Sequence, residues 1–248
     1  MNPTLFRLRI AHAKQGPGRF LSHLEVQRYL TRLVRRSGLP YAVSQGFNPQ
    51  MRLATGPALS VGVAGLREYC DLTLTTYVKP VDALRCLQDV QTDYAPVQEV
   101  GYVSTKEPSL NAAICAQCLC VTIRRDCVIM EGASAIKDTD TATIVDALQA
   151  GLVALRARDT LEVEHKGKTK VFDSAMHVPN DMEVATEGSD LQMKLSLRIS
   201  PQGSLRPDAL LTALWQAAGL SVPEAGQIRL QRTALFLEDT GGDLRLPL

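Results

Sequence analysis

Aromatic residues are scarce in this chain, at 5% of 248 residues with a single tryptophan, and no apolar stretch is long. A membrane-spanning helix needs about eighteen or more consecutive apolar residues, and no run approaches that, so no membrane role is expected. The amino terminus passes straight into Leu5-Phe-Arg-Leu-Arg-Ile10, an alternating strand pattern without the apolar core of a signal peptide, which predicts a cytoplasmic protein. A glycine-rich phosphate loop of the P-loop or dinucleotide type is missing, as are Gly-x-Ser-x-Gly and His-x-x-x-His. Their absence argues against nucleotide hydrolysis, hydride transfer, serine-hydrolase chemistry and zinc hydrolysis, and no cofactor is expected.

What the chain does have is segregated charge. A hydrophobic content of 45% and a charged content of 21% are ordinary for a globular protein, and the formal net charge is only +1. Residues 1–60, however, hold nine Lys and Arg against the single Glu25, a balance of +8, which leaves −7 for the remainder. Segregation of this kind suits a polyanionic partner despite the neutral total.

Much of that positive charge lies on one helix. Ser22 followed by Glu25 is a capping box, with Leu21 and Val26 placed as its hydrophobic staple, so a helix is predicted from about His23. Gly38 before Leu39-Pro40 ends it, since glycine tolerates the left-handed cap and proline cannot continue the ladder. At helical spacing Val26, Leu30, Leu33 and Val34 share one stripe, and Arg28, Arg32 and Arg35 lie opposite. A solvated charged face would look the same; what favours anion binding is that Glu25 is the one carboxylate among these arginines.

The loop that follows, Ser44-Gln-Gly-Phe-Asn-Pro49, offers amides and a hydroxyl to read polar edges, a glycine for close backbone approach and Phe47 as a stacking ring. An irregular connection with a buried phenylalanine would have the same composition.

Arg19-Phe-Leu-Ser-His-Leu-Glu25, Arg35-Arg-Ser-Gly-Leu-Pro-Tyr41, Ser44 to Pro49, Ser60-Val-Gly-Val63 and Glu68-Tyr-Cys-Asp71 together resemble the signature of the radical-SAM-linked family. Its members are bacterial domains of unknown function, found alone or as the carboxy-terminal part of radical S-adenosylmethionine proteins that carry a cobalamin-binding domain. The match is specific over about residues 5–75. The chain departs from the pattern at Gln50-Met51-Arg52, where the family has a His-Pro-basic run, and after Asp173, where it has an arginine. The resemblance implies a radical SAM partner that binds cobalamin. This chain lacks the Cys-x-x-x-Cys-x-x-Cys spacing of the cluster itself, so it is not expected to run radical chemistry.

Periodicity predicts an α+β fold. Strands over about 5–13, 41–44, 69–75 and 97–104, with helices over 23–38 and 80–90, give the order βαββαβ. Between Gly46 and Gly65, residues 51–55 and 58–63 read as extended segments. The order returns after residue 112. Strands are expected at 119–124, at 161–165 with 169–172 around a Lys166-Gly-Lys168 turn, at 191–197 and at 228–237. One helix enters near Asp138-Thr-Asp140 and carries a stripe of Ile144, Val145, Leu148, Leu152 and Leu155; another is bracketed by Pro207 and Gly219. The expected architecture is two tandem ferredoxin-like units with antiparallel sheets, 1–104 and 113–248, joined by a linker at 105–112.

Two constellations invite chemistry. Cys115, Cys118 and Cys120 include a Cys-x-x-Cys spacing for a metal, but no second ligand pair matches it. A strand with Leu119, Val121 and Ile123 on one face and Cys118 and Cys120 on the other fits as well. His23, in the first helical turn beside several arginines, is the candidate general base, although it falls near the apolar stripe. The leading expectation is a non-catalytic RNA-binding or substrate-presenting accessory to a radical SAM enzyme. Its contact residues are Arg19, Ser22, His23, Arg28, Arg32, Arg35, Ser44, Gln45, Gly46, Phe47, Asn48 and Arg52. The alternatives are a metal-independent endoribonuclease using His23 and a protein–protein adaptor.

Overall fold

A computed structural model of the chain describes residues 4–128, 141–165, 167–180, 182–200 and 205–248. It is an α+β protein whose strands pair mostly antiparallel, and no helix among the described residues is long and apolar enough to cross a membrane. Two compact units divide it: residues 1–115 with 231–248, and residues 116–230. Element order alone had placed the last strand in the second unit. From Gln231 onward it belongs to the first, because it pairs in parallel with the strand at residues 64–65 there.

In the first unit, β1 (Phe6–Lys14) is followed by α1 (His23–Ser37), β2 (Leu53–Thr55), β3 (Ala64–Leu74), α2 (Pro80–Gln88) and β4 (Val97–Val103). The strands lie in the order β4-β1-β3, with β2 also on β3, and all three pairings are antiparallel. As the central strand, β1 is buried from Leu8 to its end. Alternation sends Leu8 and Ile10 to one face, where they pack with Cys70, Leu72 and Leu74 of β3 and with Val26, Leu30, Leu33 and Val34 of α1. Each such fully buried leucine or valine stabilises the fold by about 1.5–3 kcal/mol.

The predicted cap of α1 forms in full. The Ser22 amide donates to Glu25 Oε2 at 2.7 Å, the Glu25 amide donates to Ser22 Oγ at 3.4 Å, and Gly38 closes the helix at φ 72°. Residues 41–44, predicted as a strand, make only isolated bridges, Tyr41 to Leu74 and Val43 to Met51, and residues 58–63 form no strand. The 105–112 stretch is not a bare linker. It ends in α3 (Leu110–Ala113), whose Leu110 is fully buried.

On the other face of the sheet the Arg9 guanidinium meets both Asp71 oxygens at 2.8 and 2.9 Å and donates to the Pro247 carbonyl at 3.1 Å. The chain's last residues therefore lie over this face. Leu248 comes so close to Gly101 that a Cβ there would meet its Cδ2 at 2.5 Å.

The second unit contains most of β5 (Ile114–Arg124), then α4 (Thr141–Arg156), β6 (Thr160–His165), β7 (Lys168–Asp173), α5 (Ser174–His177), β8 (Met182–Glu187), β9 (Asp190–Arg198) and α6 (Pro207–Ala217). Antiparallel β5-β9-β8 forms a sheet, while β6 and β7 pair as a separate hairpin. Leu119, Val121 and Ile123 meet Leu191, Met193, Leu195 and Leu197 together with Ile144, Leu148, Leu152, Leu155, Leu214 and Trp215 in one core. Sequence periodicity missed β8, whose run Met-Glu-Val-Ala-Thr-Glu has too few apolar positions to stand out. The expected helix entry at Asp138–Asp140 and the turn residue Lys166 lie outside the described residues. The closing strands are β10 (Ile228–Glu238) and β11 (Leu244–Arg245), with residues 231 onward in the first unit.

Candidate functional site

The arginines of α1 border an open groove. Arg28, Arg32 and Arg35, spaced so that their side chains follow one side of the helix, line it with Leu24, Gln27 and Thr31; Gln50, Met51 and Leu53 form the facing wall, and the groove measures about 400 Å³. All three guanidinium side chains are exposed, and none makes an ion pair among the described residues. Glu25, the neighbouring carboxylate, is occupied by the cap. Hydrogen bonds from the Ser22 hydroxyl and amide, with Arg28 nearby, hold its carboxyl below the usual range. The row is thus cationic and unneutralised.

Not every neighbouring residue joins it. Met51 and Leu53 line the groove, while Arg52 between them is exposed but not among its lining residues, with its backbone tied to Ala42 and Thr73. Arg19 also stands apart. It precedes the helix, and its guanidinium carbon lies 4.7 Å from the Phe20 ring centre. Ser22 is consumed in the helix cap.

The 44–50 loop is held at its base and open at its tip. The Ser44 amide donates to the Gln50 carbonyl at 2.7 Å, the Gln50 amide donates to Ser44 Oγ at 3.0 Å, and the Gln50 amide group donates to Asn48 Oδ1 at 3.1 Å. Gly46, at φ 141°, adopts a backbone that side chains rarely tolerate. Phe47 is 110% exposed relative to its reference, so the buried-phenylalanine alternative is excluded. Gln45 and Asn48 are exposed beside it.

His23 occupies a different environment. It lines a cavity of about 30 Å³ with Val26 from α1, His12 and Lys14 from β1, Thr55 from β2, and Glu68 and Tyr69 from β3. The face of β1 that carries Leu8 and Ile10 next carries His12, opposite Glu68, so the apolar core gives way there to a polar one. Arg232 approaches Glu68 from β10, with Nε at 2.8 Å and Nη2 at 2.5 Å from its two oxygens, and also donates to the Pro57 carbonyl at 2.8 Å. Lys14 Nζ donates to the Ser60 carbonyl at 3.1 Å, and His23 Nε2 lies 3.2 Å from Thr55 Oγ1. Burial lowers the pKa of His12, Lys14 and His23; for His23 the nearby Arg232 and Lys14 charges lower it further, against a smaller opposing effect of Glu68.

Sequence reading did not single out His12, Lys14, Glu68 or Arg232 as parts of a site. His12 and Lys14 carried a signal, as polar residues continuing an apolar strand. Arg232, 164 positions from Glu68, carried none. The cysteine cluster is not assembled into a metal site. Alternation along β5 puts Cys115 on the opposite face from Cys118 and Cys120, and no group of metal-holding side chains occurs among the described residues. Cys115 Sγ instead donates to the Phe236 carbonyl at 3.5 Å, and Cys118 Sγ meets Ser196 Oγ at 3.2 Å.

A family model described as "Uncharacterized protein conserved in bacteria (DUF2344)" matches residues 7–207. None of the curated proteins matches the chain. Among solved structures, the crystal structure of an unknown protein from Galdieria sulphuraria matches 93% of this chain and 100% of its own, at 12% identity and a TM-score of 0.23, a score at which two folds need not agree.

Proposed function

This chain belongs to the DUF2344 family of uncharacterised proteins conserved in bacteria, a membership that brings no activity with it, and we propose from its own geometry that it binds RNA by the phosphate backbone. The observation that carries the reading is the groove, with Arg28, Arg32 and Arg35 exposed along one wall and no carboxylate paired to them among the described residues. Guanidinium groups pair with phosphate oxygens through two parallel hydrogen bonds, so a row at helical spacing can follow a strand of phosphates. Phe47, exposed at the loop tip, offers a ring on which a base stacks, and Gln45 and Asn48 offer amides to its polar edges.

In this reading the protein presents RNA to a radical SAM enzyme with a cobalamin-binding domain, in the cytoplasm. The strand order β4-β1-β3-β2 supports a ferredoxin-like first unit, and β5-β9-β8 with α4 and α6 supports the same for the second. The test is electrophoretic mobility of labelled RNA with the wild-type protein and with Arg28→Glu/Arg32→Glu. Binding that the double substitution abolishes supports the proposal. If neither protein shifts RNA but the wild type captures an acidic protein, the adaptor reading replaces it. The endoribonuclease alternative rests on His23 and its contact with Thr55; RNA left intact by both the wild type and His23→Ala eliminates it.

A further inference from the structure

We propose that the cavity beside His23 seats the phosphate monoester at the end of an RNA strand whose backbone lies in the arginine groove, an inference that rests on the groove reading above. Position is the first argument. Gln27 lines the groove, and His23, one helical turn earlier, lines the cavity; Leu53 lines the groove, and Thr55, two residues along the same face of β2, lines the cavity. The same two elements border both, so the cavity continues the line of the groove toward the amino-terminal end of α1.

Shape is the second argument. His12, Lys14, Glu68 and Tyr69, all buried on β1 and β3, belong to the sheet against which the cavity ends, so a strand does not run on through it. At about 30 Å³ it has the room of two or three waters, at roughly 10–15 Å³ each, which admits the oxygens of a terminal phosphate and excludes a sugar or a base.

Charge is the third. Lys14, only 2% exposed, donates to a carbonyl, and no carboxylate pairs with it among the described residues. Glu68 is the one acid lining the cavity, and Arg232 already engages both its oxygens. With His12 and His23 neutral, Lys14 and Arg232 exceed Glu68 by one positive charge. Burial lowers the pKa of Lys14 and of both histidines, so a charged Lys14 carries a desolvation cost that a bound anion relieves. A phosphate monoester carries about 1.5–2 negative charges at neutral pH, whereas an internal phosphodiester carries one. The surplus charge draws either group, and it is the closed end of the cavity against β1 and β3 that selects the strand end.

The test uses the full chain and one short single-stranded oligoribonucleotide with an internal fluorophore, made with a 5′-phosphate, with a 3′-phosphate, or with hydroxyls at both ends. Fluorescence anisotropy at pH 7 should show one phosphorylated form binding about tenfold tighter than the hydroxyl form, the scale of one or two charge-assisted hydrogen bonds. Which form wins identifies the end. Lys14→Met, which removes the charge, and His23→Trp, which fills the cavity, should each bring the preferred form down to the hydroxyl level; His23 is only half-buried, so its variant stays informative if Lys14→Met fails to fold. Equal wild-type affinity for all three forms, with Arg28→Glu/Arg32→Glu weakening all of them, overturns the cavity proposal and leaves the groove standing. A preference that survives His23→Trp in a folded protein also overturns it. No binding of any form removes the groove reading and this inference together.

Discussion

Arg232→Met should destabilise the first unit more than any surface substitution, and the size of the effect follows from what the guanidinium touches. Arg232 is 2% exposed; it spans both oxygens of Glu68, itself 7% exposed, and donates to the Pro57 carbonyl that borders the cavity. Methionine fills much of the volume but leaves a buried carboxylate without its partner. Breaking one side of a buried pair costs about 3–5 kcal/mol, and the half-buried Pro57 carbonyl, which loses its donor, adds up to about 1 kcal/mol, for a loss of about 3–6 kcal/mol. The total stability of a typical domain is about 5–15 kcal/mol, so the variant should be marginal or unfolded. Urea denaturation followed by circular dichroism measures this directly. At a slope of about 1–3 kcal/mol per molar, the midpoint should fall by about one molar or more. The companion Arg232→Met/Glu68→Leu carries no orphaned charge and should recover most of the loss. A single substitution costing less than about 1 kcal/mol, or a double variant as unstable as the single, would refute the claim that this pair holds the cavity wall.

Burial holds His12 and His23 below the ordinary histidine value of about 6.5, so the unfolded chain takes up protons at higher pH than the folded one. Stability should therefore be full above that value, fall as the pH drops through it, and level off below the folded-state values; a thermal melting series tests this, and His12→Gln should flatten the decline. Phe47→Ala should leave the melting temperature unchanged, because its ring touches solvent, yet weaken RNA binding by about 1–3 kcal/mol if a base stacks there. Ser22→Ala removes the cap of α1 and should cost about 1 kcal/mol in the same denaturation assay; no measurable loss would mean that the capping box contributes nothing.

Local signals made parts of this architecture legible in advance. The α1 boundaries were readable because a capping box and a left-handed glycine are short-range devices, and β3 from residue 69 because Cys70, Leu72 and Leu74 alternate with polar neighbours, whereas its start at Ala64 was not. The arginine row was readable for the same reason: helical spacing alone sets Arg28, Arg32 and Arg35 on one side. Arg52 was grouped with the row because it is close in sequence, which says nothing about where a side chain lies, and Met51 and Leu53 rather than Arg52 line the groove. The cavity stayed hidden because its members come from β1, α1, β2 and β3, and Glu68 is neutralised by an arginine far along the chain. Such pairings are decided by sheet register and by the return of the carboxy-terminal strand, for which no short motif exists. The division into units failed for a related reason: β10 crosses the boundary at residues 230–231, while element order assigns a strand whole.

The salt dependence of RNA binding tests the central claim most directly. Three guanidinium–phosphate contacts on a single strand predict a plot of log affinity against log salt with a slope of about −2, made shallower by Arg28→Glu/Arg32→Glu. A flat plot, or a slope untouched by the double substitution, would contradict the assignment of the α1 groove to a phosphate backbone.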